Sequence, residues 1–181
     1  MPAGSDSLFI NLKEFAPGAT GAKSKNTKIL AEKEIADWVY FPKSGAVPFQ
    51  SCEKLLREQN PLTSKKISKL LEILEKTTSR KKILKILDKC GSLVQGMGID
   101  GDRLAELVKG FQNFGISQPE KALDTLKQVW ASKFNERVWA ACRKQGFSLP
   151  DVSLSVLVQE VVRAKYAFVI HTVNPATMDA D

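Results

Sequence analysis

Apolar positions in the middle of the chain recur with a helical period. Ile67, Leu70, Leu71 and Leu74 follow an i, i+3, i+4, i+7 spacing, which lays one apolar stripe along a helix with lysines opposite. A second helix carries Ile83, Leu84 and Leu87, and a third Leu104, Leu107, Val108 and Phe111. Between these two, Gly91, Gly96, Gly98 and Gly101 predict an irregular loop over 91–102. Ser117-Gln-Pro-Glu120 reads as a capping box, with Pro119 tolerated in the first turn because its missing N–H has no helical partner. The helix it opens is expected to run to Gln145 and stop at Gly146, burying Leu123, Leu126, Trp130, Phe134, Val138 and Cys142.

Strand-like segments lie toward the two ends. Residues 8–13 predict a short strand, 17–21 a loop, and Lys23 to Glu32 a helix. Trp38-Val-Tyr-Phe41 is β-rich, and Pro42 limits it to a strand end or edge, as Pro48 does for the run around Ala46-Val47. After Pro150, residues 152–159 and 166–173 predict the two clearest strands. The expected class is α+β, with a helical middle and a small, mostly antiparallel C-terminal sheet.

Composition adds bounds rather than identity. A length of 181 residues, 43% hydrophobic and 26% charged, suits one globular domain with its own core. No apolar run approaches the roughly 20 residues of a membrane span, and Met1 to Asp6 lack the basic flank and apolar stretch of a secretory signal. A protein of the cytoplasm or a plastid, neither secreted nor membrane-spanning, is the expectation. Cys52, Cys90 and Cys142 include no C-x-x-C and are expected to be unpaired thiols.

The net charge of +7 is concentrated, because residues 65–89 hold nine Lys or Arg against three Asp or Glu. Such a segment is either a solvated helix face or a module attracting phosphate, nucleic acid or anionic lipid. Residues 62–90 contain no aromatic on which a base could stack, which argues against nucleic acid.

Several strong chemical motifs are absent. Gly91-Ser-Leu-Val-Gln-Gly-Met-Gly98 lacks the Lys-Ser/Thr of a phosphate-binding loop, and Asp100-Gly-Asp102 is too short for a calcium loop. His171 is the single histidine, so no histidine pair exists for a zinc site, and it reads as a structural residue of a strand. The one positive signal is Gly21-Ala-Lys-Ser-Lys-Asn26, a glycine loop opening a helix, where free N–H groups and a lysine can meet phosphate. Taken alone, it is more often a plain helix entry.

The same segment is followed by a Pro-bounded apolar stretch, Trp130-Ala-Ser with Asn135-Glu-Arg137, Val156-Leu-Val-Gln-Glu160 and Phe168-Val-Ile-His-Thr-Val-Asn-Pro175. In this order these phrases resemble the nucleotide-binding domain of the dikinases: pyruvate phosphate dikinase, phosphoenolpyruvate synthase and, above all, the α-glucan, water dikinases. The resemblance covers about half the chain, and 53–116 carries none of it. It implies an incomplete ATP-grasp-like domain with a Lys-bearing N-terminal part (1–52), a basic helical insert (53–116), and a helix with adenine-side strands (117–181).

By resemblance, the implied activity is transfer of phosphate from ATP to a catalytic histidine on a separate phosphohistidine domain, and from there to an α-glucan of starch metabolism. Lys23 matches the lysine that contacts ATP phosphates. Gln159, Glu160, Val161 and Val162 match the hinge that reads the adenine edge, and Thr172 and Asn174 the polar end of the facing strand. Arg137 matches a family arginine that either reaches the nucleotide or braces its helix. Met178 stands where the family has glycine. The segments that supply the magnesium ligands and the arginines acting on the phosphoryl group are expected downstream of Asp181, so Mg2+ is implied without ligands here. A truncated, separately inactive piece is the expectation. The alternatives are a phosphoenolpyruvate synthase-type or pyruvate phosphate dikinase-type fragment, and a non-enzymatic anion-binding module.

Overall fold

The computed structural model describes residues 6–33 and 38–168. Along the chain lie β1 (Ile10–Asn11), α1 (Ala22–Ala31), β2 (Ser44–Val47), α2 (Ser51–Gln59), α3 (Pro61–Glu75), α4 (Arg80–Gln95), α5 (Gly101–Asn113), α6 (Pro119–Ala131), α7 (Glu136–Gln145) and β3 (Val156–Gln159). The α+β class is borne out. The sheet is antiparallel in the order β1-β2-β3, so two of its strands come from the N-terminal part, correcting the expectation of a C-terminal sheet. Pro48 ends β2 without weakening it, because the missing N–H falls just past the ladder, and β2 is the central strand.

The other predicted strands also change, and the one over 152–159 forms only at Val156–Gln159. The first shortens to Ile10–Asn11, because Leu12–Glu14 winds into a 3-10 turn whose Glu14 carboxylate accepts from the Asn11 N–H at 2.8 Å. Trp38 to Phe41 lies in no strand. Of the predicted 166–173 strand, residues 166–168 are not in a strand, and the remainder lies outside the described residues.

Register decides which side chains the sheet sends to each face. Ile10 pairs with Ala46, and Ala46 with Leu157, and these three pack with Phe15 in a small core on one face. The next row, Asn11–Gly45–Val158, faces the other way. There Val47, Val156 and Val158 meet the main core built by the helices. Gly45 has no room for a side chain: an added Cβ would lie 2.6 Å from the Phe9 ring and 2.8 Å from Phe114.

The helical stripes are largely as expected. Ile67, Leu71 and Leu74 of α3, Ile83 and Leu87 of α4, and Leu107 and Phe111 of α5 are buried in one core with Leu126 and Trp130 of α6. α4 packs against α3, α6 and α7. It continues through Gly91 to Gln95, so the expected 91–102 loop shrinks to 96–100, and Gly91 faces Ala131 of α6. α2 carried no prediction; it buries Cys52, Leu55 and Leu56.

The long helix expected over 117–145 is two helices. Ser132–Asn135 interrupts it, and the Asn135 side chain accepts from the Val138 N–H at 2.9 Å, capping α7. An Asn that satisfies a first-turn donor starts a new helix in place of continuing the old one. Gly146 stops α7 at φ 75°, as predicted. The capping box does not form. Pro119 takes the first helical position, which leaves Gln118 as the cap without a side-chain bond and places Ser117 one residue too early.

Candidate functional site

The residues assigned to nucleotide binding fall on three elements. Lys23 is the second residue of α1 and is exposed. Gly21 caps that helix with no side-chain acceptor, which leaves first-turn N–H groups available to an anion. α1 is held down by Lys28, whose ammonium donates to the Lys13 carbonyl at 2.8 Å and the Phe15 carbonyl at 3.1 Å.

Gln159 closes β3, and its side-chain amide donates to Ser44 Oγ at 2.9 Å. Glu160 follows, with its N–H on the Lys43 carbonyl at 3.1 Å and its carboxylate accepting from the Tyr40 hydroxyl. That carboxylate raises the Tyr40 phenol above its ordinary range. Because Glu160 points its N–H at β2, strand alternation turns the main-chain groups of Leu157 and Gln159 to the other edge of β3, which pairs with no strand among the described residues. Val161 is 89% exposed, and Val162, Tyr40 and Tyr166 are exposed beside it in sequence or space.

Arg137 is the second residue of α7, exposed and without a side-chain hydrogen bond or ion pair among the described residues. The start of α7 is secured by others. Glu136 forms a two-pronged pair with Arg80 at 2.6 and 2.9 Å, and the Arg80 guanidinium holds the Glu136 carboxyl below its usual range. Thr172 and Asn174, with His171, lie outside the described residues. Gln159 and Glu160 are thus gathered with Ser44 and Tyr40, whereas no bond among the described residues joins Lys23 or Arg137 to them.

One buried polar arrangement was not among the expected residues. Lys133, 8% exposed, donates to Glu53 Oε1 at 2.9 Å and to the Val152 carbonyl at 2.7 Å. The other Glu53 oxygen accepts from Ser153 Oγ at 3.2 Å, and Ser153 Oγ accepts from the Gln50 N–H at 2.7 Å. A signal for it existed. Lys133 stands seven residues after Leu126 and three after Trp130, so a helix through them puts its charge on the apolar stripe. Glu53, 80 residues away in sequence, carried no such signal.

The lysines of α3 and α4 at 65, 66, 69, 76, 81, 82, 85 and 89 are not buried and enter no ion pair among the described residues, as a solvated face requires. Also among the described residues, no three His, Cys, Asp or Glu side chains converge to hold a metal ion, and no helix is long and apolar enough to cross a membrane. Cys52, Cys90 and Cys142 are buried free thiols.

Comparison with known proteins matches residues 108–181 to the family described as pyruvate phosphate dikinase, AMP/ATP-binding domain. Across 94% of its length the chain is 31% identical to alpha-glucan water dikinase 2 and 33% identical to alpha-glucan water dikinase 1, chloroplastic, both of Arabidopsis thaliana. It is 34% identical to alpha-glucan water dikinase, chloroplastic, of Solanum tuberosum over the same share. The chain spans only 12–14% of the length of these relatives. The resemblance of its last third to a dikinase nucleotide-binding domain is borne out, and similarity also runs through the helical middle.

Proposed function

We propose, from this likeness to the dikinases, that the chain holds ATP for a reaction that phosphorylates a histidine on a separate domain and then an α-glucan. The observation that carries the reading is similarity along 94% of the chain to proteins named for that glucan reaction. The match over 108–181 supports nucleotide as the ligand.

The geometry offers a consistent division of labour. The outer edge of β3, unpaired among the described residues, supplies main-chain donors and acceptors at Leu157 and Gln159, the kind of edge that reads an adenine ring. Val161, Val162 and Tyr40 supply exposed apolar surface to cover the ring's faces. Lys23, over the uncapped start of α1, takes the phosphate end by charge and by free N–H groups. Thr172 and Asn174 belong to the same end in this reading, and Arg137 remains accessible to a phosphate. Magnesium enters with the nucleotide; the described residues offer it no acidic cluster, so no step is assigned to it. In this reading the phosphohistidine domain and the glucan site lie on other domains, and a plastid setting follows the relatives whose names place them in the chloroplast.

Calorimetric titration of the purified chain with magnesium–ATP tests this directly. The expected result is weak, saturable heat for the wild type and about tenfold weaker binding for Lys23→Ala. Equal heats for the two would remove Lys23 from the site, and no binding by either would remove the nucleotide reading of this chain.

A further inference from the structure

A cavity of about 310 Å3 lies between α2, α3, the α6–α7 break and the segment around Pro150 and Leu154. None of the described residues assigned to ATP lines it. Its size matches the small end of ligand sites, roughly 300–1,000 Å3. Leu56, Ile67, Leu71, Val94 and Phe134 make most of the wall apolar.

Three charged side chains line it: Glu53, Lys133 and Arg57. Glu53 and Lys133 neutralise each other at 2.9 Å. Arg57 is exposed and, among the described residues, has no carboxylate partner, so the cavity keeps the charge of one guanidinium. One net positive charge excludes cations and gives a multiply charged anion too little compensation, while the apolar wall disfavours a sugar.

We propose that this cavity binds a small apolar monocarboxylate at a site separate from the nucleotide. The hydrocarbon body lies against Leu56, Ile67, Leu71 and Phe134, and the carboxylate pairs with Arg57. Such a ligand would tie α2, α3 and α6 together across the buried pair.

The test uses two probes of one shape on the whole chain: 4-phenylbutyrate and the neutral 4-phenylbutan-1-ol. Thermal shift and thiol labelling resolved by mass spectrometry report occupancy, because Cys52 lies on the cavity wall whereas Cys90 and Cys142 do not. The acid is expected to bind about tenfold more tightly than the alcohol, with saturation below about 1 mM. Occupancy slows labelling of Cys52 more than that of Cys90 or Cys142. Arg57→Ala, at an exposed position, removes the preference for acid over alcohol, and Arg57→Lys restores part of it. Equal binding of acid and alcohol, no protection of Cys52, or an unchanged preference in Arg57→Ala would each overturn the proposal. Displacement of the acid by magnesium–ATP would merge the cavity with the nucleotide site and overturn its separateness, whereas failure of ATP to bind at all would leave this result standing.

Discussion

Lys133 shows how one residue can tie distant parts of a chain together. Its ammonium, taken almost wholly out of water, is compensated by Glu53 and by the Val152 carbonyl, so it joins α2, the α6–α7 break and the approach to β3. Removing one partner of such a pair leaves a buried charge without compensation, which costs about 3–5 kcal/mol. Lys133→Ala and Glu53→Ala are therefore each expected to lower the denaturation midpoint by that order. The double replacement Lys133→Ala with Glu53→Ala is expected to cost less than the two single changes together. Urea unfolding of the four proteins in a double-mutant cycle checks this. Additive losses would show that the pair is not coupled in the fold.

At the scale of elements, the join between sheet and helices depends on one ring. Phe9 stands edge-on to Phe111 and beside Phe114 of the α5 end, with centroids 5.9 and 5.6 Å away, and it closes over Gly45 of β2 and Gly110 of α5. A Cβ built on Gly110 would lie 2.4 Å from the ring. Alanine is the better helix former by about 1 kcal/mol, so in an isolated helix Gly110→Ala would stabilise. Here the ring must shift, and overpacking of this kind costs about 1–3 kcal/mol. A lowered melting temperature for Gly110→Ala, with recovery when Phe9→Leu is added, is the expected outcome. A raised melting temperature would mean that propensity outweighs the contact. The same element scale explains the failures of prediction. The capping box at Ser117 lost its register to Pro119, and the 117–145 helix was divided by Asn135, because in each case a local hydrogen-bonding choice overrode a continuous apolar period.

For the whole molecule, the buried thiols set a limit at high pH. Burial pushes the Cys52 thiol from its ordinary 9.0 up to about 12 and the Cys90 thiol up to about 11. Folded values above unfolded ones mean that the folded state keeps these protons longer. The stability linked to them is full below about pH 9 and is lost as pH rises through 11 and 12. Chemical denaturation followed from pH 8 to 11 is expected to show a falling midpoint, with the fall reduced in a Cys52→Ala, Cys90→Ala double variant relative to its own pH 8 value. An unchanged slope in that variant would assign the alkaline loss to other groups.

Much of this protein was legible before any coordinates. The apolar stripes of α3 to α6, the stop at Gly146, the unpaired thiols and the dikinase phrases follow from short-range spacing and residue type, which a sequence displays directly. Lys23, Gln159 and Glu160 could be placed on a helix start and a strand end for the same reason. Tertiary structure alone decided that β2 is the central strand, that Phe9 is seated on two glycines, and that Lys133 meets Glu53 beside a cavity. Those are contacts between residues tens of positions apart, and their energies depend on burial and mutual distance, quantities that exist only once the chain has closed on itself.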